Sequence, residues 1–232
     1  MALFLLTEDP GFPAASLAEK NGLLAIGGDL SPRRLLAAYA GGIFPWFSEG
    51  DPLLWWSPDP RLILEPDRLH IPGSLKKTLK RGTFDITCDA AFTEVITACA
   101  RANRPEANGT WITREMIAAY VRLHELGFAH SVEAWMTRDG ARQLAGGLYG
   151  IALGGCFFGE SMFHHQPDAS KAAFVTLVRK LADWGYSLID CQMTTPHLLR
   201  FGAREISREQ FLARLHEVLS HRVSEDRWQS MA

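Results

Sequence analysis

The chain has 232 residues, a formal net charge of −2 and an apolar fraction of 47%, enough for one large domain or two small ones around a sizeable core. That charge gives no overall pull towards a polyanion, so any nucleic-acid contact must come from a local patch. No apolar run reaches the roughly 18–20 residues that cross a bilayer, and Met1–Leu6 is too short for a secretory apolar region with a cleavage site.

The four cysteines, Cys88, Cys99, Cys156 and Cys191, form no C-x-x-C pair. They predict reduced thiols in a cytoplasmic protein, neither a zinc site nor a disulfide framework. Asn21–Leu30 (NGLLAIGGDL) is apolar and glycine-bearing, a loop with a short extended piece. Ser31-Pro32 then starts a helix: serine accepts from free amides at an N-cap, and proline is tolerated in the first turn. Leu35, Leu36 and Tyr39 give that helix an apolar face, and Gly41-Gly42 stop it. Ile43–Trp56 is crowded with Phe44-Pro45-Trp46-Phe47 and Leu53-Leu54-Trp55-Trp56. Two readings stand: an aromatic core pinned by prolines, or one or two rings that stack on a nucleobase. Ser57–Arg61 (SPDPR) is stiff and turn-rich, which places a boundary between a small α+β unit, 1–61, and a larger unit, 62–232.

Ile71–Gly82 is a short helical segment bearing Lys76, Lys77, Lys80 and Arg81, the densest basic cluster in the sequence. It is a solvated face or a phosphate-contacting patch. Asp89 is expected to cap a helix to Ala102 with Phe92, Val95, Ile96 and Cys99 inward. A polar loop over 101–109 follows, then a helix from Glu115 to Leu126 capped by Thr113 and ended by Gly127. His130–Met136 is a strand, and Asp139-Gly140 is a hairpin turn.

Gln143–Ile151 and Cys156–Phe163 are two further strands joined at Leu153-Gly154-Gly155. Lys171–Trp184 has Phe174, Leu177, Val178 and Leu181 at helical spacing, and Ser187–Gln192 returns as a strand. Alternation along that strand puts Asp190 and Gln192 on one face, with Ile189 and Cys191 on the other. Ser207 and Gln210 make a capping box for a last helix, Arg208–His221, and the tail from Ser224 is expected to fray. The larger unit is thus an α+β sheet with flanking helices. Its order resembles an N-acyltransferase core of the acetyltransferase (GNAT-like) superfamily, although fold analogy does not settle function.

Several chemistries lack their pattern. Cys191 has no histidine near it and is expected as a buried structural thiol. Ser161 lies in GESM, without the nucleophile-elbow pattern. His164-His165, His130 and Glu160 give no metal-ligand spacing, so no metal is expected. The glycine pairs make no phosphate loop and relieve crowding in a hairpin. Asp190, Gln192 and Glu160 remain, within an apolar setting that includes Tyr149, Phe157, Met162 and Ile189. A few placed polar groups within apolar walls describe a small-ligand pocket.

Seven segments, GLLAIGGDL (22–30), GIFPWF (42–47), LWWSPDPR (54–61), GTWITR (109–114), GESMF (159–163), ASK (169–171) and LIDCQ (188–192), resemble the leucyl/phenylalanyl-tRNA–protein transferases from about residue 20 to about residue 215. The resemblance implies an acetyltransferase-like catalytic domain. It also implies transfer of leucine or phenylalanine, with methionine a further donor, from charged tRNA to proteins that begin with arginine or lysine, marking them for N-end-rule degradation. It makes Asp190 and Gln192 the catalytic pair and Glu160 a polar residue at the acceptor side. Leu148, Met162, Phe174, Leu177 and Ile189 would line the side-chain pocket, Trp46 and Trp111 would hold the terminal adenosine, and Lys76–Arg81 would meet the acceptor stem. A monomer without cofactor is expected. His164-His165 and Leu199-Arg200-Phe201 depart from the family pattern.

An aminoacyl ester is already activated, so the reaction needs positioning and proton movement and no ATP. Gln192 would hold the incoming amine while Asp190 polarises Gln192 and favours the developing positive charge; the proton leaves through that pair or through the tRNA's vicinal hydroxyl. Two other classes share some features. A coenzyme-A-dependent acetyltransferase would carry a glycine-bearing pyrophosphate loop where FHHQPDASK (163–171) stands. A non-catalytic tRNA-binding module would explain Trp46, Trp111 and the lysines, and leave Asp190 and Gln192 without a task.

Overall fold

The computed structural model describes residues 3–102, 111–221, 223 and 228. Most of the expected 101–109 loop, Gly109 and Thr110 of GTWITR and all of the tail from Ser224 except Trp228 lie outside the described residues.

β1 (Phe4–Leu6), β2 (Leu23–Gly27), α1 (Pro32–Ala40), β3 (Phe44–Pro45) and β4 (Leu54–Trp56) make the first unit, whose sheet runs β1-β2-β4-β3. α1 begins as its sequence predicts: Ser31 Oγ accepts from the Arg34 amide at 3.4 Å, with Pro32 in the first turn. Leu35, Ala38 and Tyr39 are its buried face, and Gly42 ends it at φ 71°, a conformation that favours glycine.

The elements that follow are β5 (Arg61–Leu64), α2 (Gly73–Lys80), β6 (Asp85–Cys88), α3 (Phe92–Arg101), α4 (Arg114–Glu125), β7 (Ala129–Arg138), β8 (Ala141–Leu153) and β9 (Cys156–His164). After them come α5 (Ala169–Asp183), β10 (Leu188–Gln192), α6 (Pro196–Leu199), β11 (Arg204–Ile206) and α7 (Arg208–Leu219). Their strands form a seven-stranded mixed sheet in the order β11-β5-β10-β9-β8-β7-β6. β9 and β10 run parallel, and every other neighbouring pair is antiparallel.

Thr113 caps α4, and Ser207 and Gln210 form the capping box of α7, both as expected. Three strands of the seven-stranded sheet were not expected. β5 begins at Arg61, the last residue of the segment read as a stiff turn, and Arg61–Leu64 is buried throughout. A strand covered on both faces shows no alternation to betray it. β6 and β11 are too short to set a period. Asp89 is not the cap of α3. It sits at φ 56°, and its carboxylate accepts from the Ser131 amide at 2.8 Å and pairs with His130 Nδ1 at 2.7 Å, tying the end of β6 to β7.

Alternation along β5 divides the core. Ile63 faces α1, α3, α4, α7 and Trp55 of the first sheet, in one cluster with Tyr149 and Phe158. Leu62 and Leu64 face the other way, towards α5, with Leu148, Phe157, Phe174 and Ile189. α5 lies close on β8: a Cβ at Gly146 would stand 2.8 Å from the Ala169 Cβ, so glycine there is what admits the helix.

Candidate active site

Two irregular registers build the site. Between β8 and β9, Leu148 faces Met162 and Tyr149 faces Ser161, but Gly150 faces Gly159, which leaves Glu160 as an extra residue. Between β5 and β10, Leu64 faces Ile189 and Ile63 faces Asp190, but Leu62 faces Gln192, which leaves Cys191 extra. A bulge of one residue resets which face the chain presents. Glycine at 150 is required, because a Cβ there would collide with the Phe158 carbonyl oxygen.

The bulge at Cys191 corrects the alternation argument. Gln192, at φ 61°, shares its row with Leu62 and its face with Ile189; Asp190 points to the opposite side. Asp190 is fully buried. Its Oδ1 accepts from Arg61 Nε at 2.9 Å and its Oδ2 from Arg61 Nη2 at 2.6 Å. Arg61 is itself buried between the rings of Phe44 and Phe211, 4.9 and 4.5 Å from their centroids. Asp190 Oδ1 also accepts the backbone N–H of Gln192 at 2.9 Å. The expectation that Asp190 polarises the Gln192 side chain is therefore corrected: it pins the bulge through the backbone.

The partner of the Gln192 amide is Glu160. Paired registry between β9 and β10 runs to Phe158 and Asp190, and beyond it Gln192 Nε2 donates to Glu160 Oε1 at 2.8 Å. Tyr120 OH donates to Glu160 Oε2 at 3.2 Å, and the Tyr39 hydroxyl bonds that of Tyr120. Burial pushes the Glu160 carboxyl up to about 7, against the hydrogen bonds from Tyr39, Gln192 and Tyr120, with the Asp190 charge adding to the rise. A carboxylate half ionised near neutrality suits proton exchange with an amine.

Glu160 and Gln192 stand on the wall of a cavity of about 720 Å³. All seven apolar residues singled out as substrate-binding, Trp46, Trp111, Leu148, Met162, Phe174, Leu177 and Ile189, line it too. Cys191, half-buried, is also part of this wall, its thiol held protonated first by burial and then by the Asp190 charge. Lys76, Lys77, Lys80 and Arg81 lie elsewhere, exposed on α2, which docks through buried Leu75. Tyr39, Tyr120 and Arg61 escaped the sequence reading. A tyrosine on an apolar helix face advertises a buried hydroxyl in need of a partner, but not which partner.

Among the described residues, no cluster of three or more His, Cys, Asp or Glu could hold a metal ion, and no helix is long and apolar enough to cross a membrane.

The family model described as leucyl/phenylalanyl-tRNA protein transferase matches residues 63–216, and the model of that family's N-terminal domain matches residues 28–59. A leucyl/phenylalanyl-tRNA–protein transferase of Anaeromyxobacter sp. is 59% identical over 228 residues, 98% of this chain and 95% of its own. The chain belongs to the leucyl/phenylalanyl-tRNA–protein transferase family. Another transferase so named, from Myxococcus xanthus, is 54% identical over 230 residues, covering 98% of this chain and 97% of its own. Among solved structures, L-PGS from Bacillus licheniformis aligns at 10% identity and a TM-score of 0.44 over 86% of this chain and 74% of its own.

Proposed function

We propose that this transferase moves leucine or phenylalanine, and methionine as a third donor, from aminoacyl-tRNA to the amino-terminal arginine or lysine of an acceptor protein. The observation that carries the reading is the Glu160–Gln192 pair at the edge of an apolar cavity, in a chain of this family. The donor's side chain sits against Leu148, Met162, Phe174, Leu177 and Ile189, and its adenosine against Trp46 and Trp111. Gln192 positions the acceptor's amine, and Glu160 takes a proton from the ammonium, whose own pKa of about 7.7–8.0 makes the transfer only slightly uphill. The freed amine attacks the ester carbonyl, the C–N bond forms, and the C–O bond to the ribose breaks. Of the two protons the nitrogen loses, one ends on the ribose oxygen, by way of Glu160 or the vicinal hydroxyl, and one in solvent.

The acceptor's basic side chain needs an anion that is not engaged in this step. Glu205 Oε1 accepts from Thr194 Oγ1 at 2.5 Å, between the cavity-lining Met193 and Thr195. Glu205 and Gln192 both face Leu62 of β5, so they lie two strand spacings apart, about 10 Å. That is the reach of an extended lysine or arginine plus a glutamate.

Residues 1–61 are taken as the smaller unit and 62–232 as an acetyltransferase-like catalytic unit. The separate family matches to 28–59 and 63–216, and the parallel β9–β10 pair that parts beside the site, support that division. The test is to mix the protein with leucyl-tRNA and a peptide beginning with arginine and to look for the peptide one leucine longer. Gln192→Ala should lower turnover with little change in tRNA affinity. Wild-type turnover in that variant refutes the assignment.

A further inference from the structure

We propose that His164, Lys171 and Arg200 form a phosphate-binding rim for the single-stranded 3′ end of the donor RNA, joining the α2 cations to the cavity. The inference rests on the transfer reading above. Each residue extends an element whose next member lines the cavity. His164 follows Met162 by two residues on β9, hence on the same face. Lys171 precedes Phe174 by one turn on the same stripe of α5. Arg200 ends α6, on which His197 and Leu198 line the cavity.

The rim is continuous with α2. Thr78 Oγ1 donates to Asp168 Oδ2 at 3.2 Å, and Lys171 Nζ donates to Oδ1 of the same carboxylate at 2.8 Å. Asp168 offsets Lys171. Among the described residues, His164, Arg200, Lys76, Lys77, Lys80 and Arg81 enter no ion pair. In a chain of net charge −2, this is the local positive patch that a polyanion requires.

His197 reports the same field from inside. Its Nε2 is enclosed without a hydrogen-bond partner among the described residues. Burial, and then the charges of Lys171, Arg200 and His164, hold its imidazole below the usual histidine range. A strand of RNA whose terminal adenosine lies in the cavity must bring its preceding phosphates out over the rim. Lys171, His164 and Arg200 offer donors there, and the α2 cations meet the strand further out.

The test compares leucyl-tRNA with leucyl-adenosine, which has no phosphate, in wild type and in the double variant His164→Gln/Arg200→Gln, which breaks no hydrogen bond or ion pair of the described residues. Counterion release predicts that KM for leucyl-tRNA rises about three- to tenfold near 0.1 M salt and that its log–log salt dependence flattens by about 1. With leucyl-adenosine, kcat/KM stays within about twofold, and KM for the acceptor peptide does not move. An unchanged KM for leucyl-tRNA shows a merely solvated face and overturns the proposal. So does an equal loss with both donors, or a raised KM for the acceptor peptide. Wild-type protein that lengthens no peptide with either donor overturns the transfer reading itself, and the rim with it.

Discussion

Tyr120→Phe tests the role given to Glu160. The change removes a hydroxyl that donates to Glu160 Oε2 at 3.2 Å and leaves the ring in place. A hydrogen bond to a charged acceptor contributes about 1.5–3 kcal/mol, and at this length, beside an open cavity, about 1 kcal/mol is a fair figure. Each pKa unit corresponds to about 1.4 kcal/mol. Losing a bond that favours the carboxylate therefore lifts its pKa from about 7 to roughly 8. A base acts in its ionised form, so activity rises with pH through this pKa. At pH 7 the ionised fraction falls from about a half to about a tenth, a loss of roughly fivefold, and by pH 9 the variant nearly regains wild-type rate. The assay is single-turnover transfer from leucyl-tRNA to an arginine-started peptide, from pH 6 to 9. A limb set by the peptide's own amine would stay where it is in the variant. An unshifted limb with a uniform loss of rate would refute Glu160 as the base.

Met162→Ala opens the wall that holds the donor side chain. An apolar contact of that size discriminates by about 1–3 kcal/mol, so single-turnover rates with leucine and phenylalanine donors should both fall at least several-fold; unchanged rates with both would rule the pocket out. Glu205→Gln should raise KM for peptides beginning with arginine or lysine while kcat holds, and an unchanged KM would remove it from the acceptor site. Asp190→Asn strips the charge partner from buried Arg61 and should cost about 3–5 kcal/mol in urea unfolding, whereas Gln192→Ala should cost about 1 kcal/mol or less. Equal stabilities for the two variants would count against a structural Asp190.

The parts of the fold with their own local signal were legible in the sequence. Ser31-Pro32, Thr113 and the Ser207/Gln210 pair start α1, α4 and α7 where their side chains meet free amides. The apolar stripe of α5 followed from its period, and the long hairpin strands from the turns at Asp139-Gly140 and Leu153-Gly154-Gly155. What escaped depends on partners far away in the chain. Arg61 looks like the end of a proline-rich turn until Asp190, 129 residues later, supplies its countercharge. Tyr39 and Tyr120 look like helix-face aromatics until Glu160 comes between α1, α4 and β10. The bulges escaped because D-C-Q alternates polar and apolar as a regular strand would, which hides the change of phase; only the neighbouring strand shows that Cys191 and Glu160 are supernumerary.

The same bulges explain why the amide in LIDCQ meets Glu160 and not the neighbouring Asp190. Asp190 is already matched by Arg61 at two oxygens. Its charge still reaches Glu160, but as the least of the causes that set that carboxyl. Among the described residues Glu160 enters no ion pair; hydroxyls and an amide hold it. Burial can therefore raise it to about 7, and in the proposed reaction the arriving amine supplies the missing charge. The two acids thus divide the work. Asp190 holds the backbone where it turns at Gln192, and in the proposed reaction Glu160 is the acid that changes its protonation state while that geometry holds.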